Sequence, residues 1–180
     1  MLAFLFVAIA IAVRFLPHTF HFTPVGAALL FFGAKQDRKW LWAPVLALAV
    51  SDVLLNKFVY HYPVTAETFV SSAWYLTALL IGMLMKKATA EKFDFLVVAA
   101  GALSGATSFF IISNLGVWAL SGMYPHTLDG LVTCFALAIP FFGGTFASDI
   151  IYTFVFFATP VLIEVVKKQL SGVGDDTAAA

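Results

Sequence analysis

The sequence predicts an all-α integral membrane protein, a bundle of about six transmembrane helices that forms one domain over residues 1–170. Three observations carry this expectation. Of 180 residues, 62% are hydrophobic and 11% charged, with a mean hydropathy of +0.97. That is more apolar surface than a soluble core of this size uses, so a bilayer has to cover the remainder. The apolar residues fall into long runs parted by short connections bearing charges, Pro or Gly. Finally, the basic residues are concentrated in alternate connections.

The first run, Leu2 to Leu16, has no basic residue ahead of it and carries Arg14 near its end, so it reads as a retained first helix rather than a cleaved leader. The second, Pro24 to Ala34, falls short of the about 20 residues a membrane helix needs. Either it borrows from its flanks or it is a half-helix shielded by its neighbours. Trp40 to Leu55, Phe69 to Met85 and Phe95 to about Leu115 supply the next three spans. The stretch from Leu128 to Val166 is interrupted at Ile139-Pro140-Phe141-Phe142-Gly143-Gly144, where proline removes a backbone donor and the glycines loosen the helix. It therefore reads as a re-entrant or surface-lying helix over Leu128 to Phe142, broken from a last span over Thr145 to Val166. Two full crossings are the competing topology. The tail from Ser171 to Ala180 is expected to be disordered.

Lys35, Arg38 and Lys39 share one connection, Lys86, Lys87 and Lys92 another, and Lys167 with Lys168 follow the last run, whereas the other connections hold only Arg14 and Lys57. With the eight inside, both termini are cytoplasmic and the span number is even, in a bacterial cytoplasmic (inner) membrane. Ten Lys and Arg balance ten Asp and Glu, so no basic excess exists to draw nucleic acid. No Gly-x-Ser-x-Gly, phosphate-cradling glycine loop or paired-carboxylate motif is present, and no catalytic role or cofactor is expected. Cys134 is the only cysteine, which excludes an internal disulfide, and in its apolar run it reads as a small packing residue.

The chemistry differs between the two sides. All four histidines fall opposite the lysine-rich connections, within Arg14 to Pro24, Asn56 to Pro63 and Asn114 to His126, amid Trp, Tyr and Pro. Arg14, His18, His21, Asp52, His61, Asn114, Trp118 and Tyr124 are the candidate ligand-binding residues, because rings that stack and imidazoles that donate or accept suit a small-molecule pocket. The same rings gather at membrane interfaces without any ligand, so both readings stand. Asp52 and Asp149 are ionisable groups at depth, and Arg14 sits where it can pair with one of them or meet a ligand. His18, His21, His61 and His126 lack metal-ligand spacing, so no metal is expected. Ala8 with Ala12, and Gly101 with Gly105, form small-x-x-x-small faces that let helices approach closely.

Arg14-Phe15-Leu16-Pro17-His18 with Phe22-Thr23-Pro24, Ser51-Asp52, Tyr60-His61, Asn114 with Val117-Trp118, Tyr124-Pro125, Gly130-Leu131, Cys134, Ile139-Pro140-Phe141-Phe142 and Asp149 together resemble an uncharacterised family of small bacterial membrane proteins over nearly the whole chain. In size and layout that family is similar to the substrate-binding S-components of energy-coupling factor (ECF) vitamin transporters. The resemblance implies an outward pocket gated by Arg14 to Pro24 and completed around His61 and Trp118. It also implies an Ala8/Ala12 face that meets a transmembrane coupling subunit, itself attached to ATPases. The leading expectation is thus uptake of a small, vitamin-like molecule. The rival is an accessory structural subunit of a larger membrane complex.

Overall fold

A computed structural model describes residues 1–16, 22–90 and 92–178, and every regular element among them is helical. α1 is Leu2–Arg14, α2 Val25–Lys35, α3 Trp42–Leu54, α4 Ala66–Met85, α5 Phe95–Leu120 and α6 Leu128–Ala178. A 3-10 turn, Arg38–Trp40, precedes α3, and a π-helical segment, Leu55–Tyr60, follows it. Four stretches are long and apolar enough to cross a membrane: Arg38–Tyr60, Thr68–Met85, Phe95–Leu120 and Leu128–Ser171. Their outer surfaces suit lipid, for Leu46, Leu76, Leu80, Leu84 and Leu96 are all exposed.

α2 lies at the centre. Its segment Gly26-Ala27-Ala28-Leu29-Leu30-Phe31-Phe32-Gly33-Ala34 is apolar all round, and such a helix is stable only where every face is covered. Each residue from Val25 to Ala34 is buried, against α1, α4, α5 and α6. At about 1.5 Å per residue α2 is about 17 Å long, roughly half the hydrocarbon thickness. Phe22 to Pro24 before it are not helical, so the shielded half-helix is the arrangement found. A methyl group added at Gly33 would overlap the Leu79 carbonyl, and one at Gly82 the Leu30 carbonyl, so α2 and α4 touch backbone to backbone. A ring stack closes the other side: Phe6 lies 4.0 Å from Phe156 with planes 7° apart and 4.9 Å from Phe31, and Phe31 lies 5.2 Å from Phe157.

The helix ends follow local signals. Thr65 and Thr68 form a reciprocal capping box at the start of α4, and Asp94 accepts from the Val97 amide (3.2 Å) to start α5. α5 and α6 run antiparallel, pairing Phe95 with Phe154 and Phe110 with Phe142.

α6 corrects the expectation of a broken or re-entrant helix. It is continuous from Leu128 to Ala178, through both Pro140 and Pro160. Inside a bilayer no water replaces a released backbone partner, so one bond lost at proline costs less than a full break. Asp149 therefore lies 21 residues, about 32 Å, along a single helix rather than one turn into a new span.

Candidate functional site

Arg14 ends α1 beside the last turn of α3, and its guanidinium reaches two consecutive side chains there. Nη2 pairs with Asp52 Oδ1, and Nη1 donates to Ser51 Oγ at 2.6 Å. α4 completes the group: Tyr75 Oη lies 2.8 and 3.0 Å from the two Asp52 oxygens, and Ser72 Oγ lies 2.9 Å from Oδ2. Asp52 and Tyr75 are buried, and the Arg14 side chain is 17% exposed. A carboxylate with one cation and two hydroxyl donors is satisfied on both oxygens, which is what allows an ion pair at this depth. Of the two roles open to Arg14, the pair with an aspartate is formed. Ser72 and Tyr75 are residues the sequence did not single out, since they stand 20 and 23 positions from Asp52 in an apolar run.

A second group sits where α5 turns into α6. Trp118 Nε1 donates to the Pro125 carbonyl (3.1 Å), and its ring meets His126 edge-on at 5.5 Å. Asn114 donates from Nδ2 to the Phe110 carbonyl one turn back, and Cys134, buried, points its thiol at the Asn114 carbonyl. Tyr124 is half-buried nearby in the connection. Among the described residues no hydrogen bond or ring contact joins this group to Arg14 and Asp52. His18 and His21 lie outside the described residues.

His61 has a backbone task. It takes φ 55° and ψ 33°, the only described non-glycine residue with positive φ, and it ends the π-helical segment while Tyr62 N bonds back to Asn56 O at 2.9 Å. Its side chain is exposed. We expect His61→Val to destabilise the fold by about 1–2 kcal/mol, because a β-branched residue is strained there, and His61→Gly to be neutral or stabilising. Thermal unfolding in detergent checks both.

A third group is built on Asp149 of α6. It is 2% exposed, its carboxyl faces the first turn of α2, and only glycine fits at Gly26, since a methyl there would overlap the carboxyl group. Among the described residues Asp149 Oδ2 has no hydrogen-bond partner, nor has Thr153 Oγ1 one turn further along α6. Phe22 packs on Tyr152 at 5.5 Å beside them. An unshielded charge at the bilayer centre costs about 2.5–3.5 kcal/mol on insertion scales, so such a group has a reason to be there.

The opposite end gathers the lysines. Lys35 Nζ donates to the Thr89 carbonyl, and Lys86 Nζ donates to the Gln36 carbonyl at 2.9 Å, tying the two basic connections together. A small cleft of about 60 Å³ opens there between Lys35, Lys92 and Glu164. A larger, wholly apolar groove of about 530 Å³ runs along the outer wall of α3 and α4, past Trp42, Leu46 and Leu76. Among the described residues no three His, Cys, Asp or Glu side chains converge as metal ligands would.

No curated protein and no solved structure matches the chain. A family model does, over residues 1–171, and its description is a family of unknown function, DUF6580. Since that match covers almost the whole length, the chain belongs to this family of unknown function.

Proposed function

We propose that the chain is a membrane-embedded binding and transport protein for uptake of a small, vitamin-like molecule, taken up in the bundle above the start of α2. The observation that carries this reading is the placement of α2. A half-length helix buried on all sides puts its first turn inside the bundle and next to the Asp149 carboxyl. Interrupted helices that end at depth beside polar groups are how small-molecule transporters build a site where lipid would otherwise forbid one. Arg14, held by Asp52, and Phe22, packed on Tyr152, flank that site.

Its similarity in layout to ECF S-components extends the reading to a coupling subunit. Ala8 and Ala12 favour this, because α1 buries Ala3, Phe6, Val7 and Ala10 while these two face outward, open to another helix. The rival, a structural subunit of a larger assembly, draws on α6, whose residues from Val161 to Ser171 are exposed.

Purified gently from its native membrane, the protein is expected to carry a small molecule, and that compound is expected to raise its unfolding temperature. Finding no bound compound and no stabilisation by a panel of vitamins and precursors sinks the uptake reading. Cross-linking separates the partner readings: Ala8→Leu with Ala12→Leu should abolish attachment to a coupling subunit without loss of fold, whereas stable attachment that survives this pair and is lost on deleting 161–180 favours the rival.

A further inference from the structure

We propose that Asp149 is a proton-binding site, taking up and returning a proton during the transport cycle, so that uptake is coupled to a proton gradient. The coupling half rests on the transport reading above; the proton site itself does not.

Three independent features make the site. Asp149 Oδ2 and Thr153 Oγ1 are buried, adjacent on one face of α6, and both without a hydrogen-bond partner among the described residues. The packing around them is fitted to the carboxyl, since Gly26 alone leaves room for it. Asp149 lies away from water, and its carboxyl meets the first turn of α2, the positive end of that helix's dipole.

No other charge competes for it among the described residues. On α2 the only ionisable residue is Lys35, which is at the far end on the Thr89 carbonyl. α5 contains none from Phe95 to Leu120, and Asp94 before it caps the helix. On α1 only Arg14 is charged besides the terminus, and Asp52 holds it. On α6 itself Asp129 lies 20 positions before, and Glu164, Lys167 and Lys168 lie 15 or more after. Tyr152, next in the chain but two, turns its ring to Phe22 and Phe156. His18 and His21 lie outside the described residues, so the experiment has to address them directly.

The step balances simply. The carboxylate and a proton from water give the carboxylic acid, and release reverses this with no change of oxidation state.

Infrared difference spectra of the full-length protein in liposomes, wild type minus Asp149→Asn, test it without any ligand. The expected result is a protonated-carboxyl C=O band at neutral pH that is absent in Asp149→Asn, shifts in D₂O, and titrates away at higher pH. The same band is expected in His18→Ala/His21→Ala. A carboxylate signature alone at neutral pH, converted to the acid by the double histidine variant, shows instead an imidazolium pair and overturns the proposal. So does a carboxylate signature that depends on added sodium, or an acid band that neither exchanges nor titrates. Asp149→Leu, as apolar as its surroundings, serves if Asp149→Asn does not fold. A titrating band in a protein that binds no vitamin-like compound would uphold the proton site while defeating the uptake reading.

Discussion

Asp52→Ala is expected to be among the most damaging single substitutions, lowering stability by about 3–5 kcal/mol. It leaves the Arg14 guanidinium half-buried without its carboxylate, and removes the acceptor of Tyr75 Oη and Ser72 Oγ together. Three helices, α1, α3 and α4, lose their shared anchor at one end. Arg14→Ala should cost less, because Asp52 keeps its two hydroxyl donors and one of them can strengthen as the cation leaves. The double substitution should then cost clearly less than the sum, the mark of residues acting as a unit. Denaturant titration in mixed micelles of the four proteins measures this; strict additivity would show that the contact contributes nothing to the fold.

Gly33→Ala and Gly82→Ala carry the second large effect. At both positions the added methyl group meets a backbone carbonyl of the facing helix, Leu79 or Leu30, and backbone cannot swing aside as a side-chain end can. The helices have to separate, at a cost of about 1–3 kcal/mol for each substitution and with loss of the neighbouring contacts. Because Gly82 also lies against the Gly33 Cα, both variants open the same seam, and the second should cost less once the first is in place. Gly143→Ala is the control, for nothing lies near its missing side chain and the same assay should find it neutral or stabilising.

Most of the helix plan was legible in the sequence, because a membrane segment advertises itself through apolar length and charged borders. Pro24 to Ala34 became Val25–Lys35, and Phe69 to Met85 became Ala66–Met85. Two features escaped for local reasons. Asn56 and Lys57 look like loop residues, yet the chain stays helical to Tyr60 in a wider winding that His61 then ends. Pro140 with Gly143 and Gly144 looks like a break, yet the helix continues, since the penalty for proline is one bond and the penalty for a break in lipid is several. The candidate site was legible only in part. That Arg14 and Asp52 stand at matching depths could be read from their places in the runs, but that Tyr75 and Ser72 share the aspartate depends on how α4 packs. Nor can a sequence say that Asp149 Oδ2 finds no partner among the described residues: that is a property of what surrounds a side chain, and here the first turn of α2, which carries no charge, faces it.

The shortness of α2 also governs how the protein can be made. A segment of 11 residues is too brief to settle stably as an independent span when it leaves the ribosome, and its covering partners on α4, α5 and α6 have not yet been synthesised. α2 can therefore take its buried place only once the later helices have built the slot it fills.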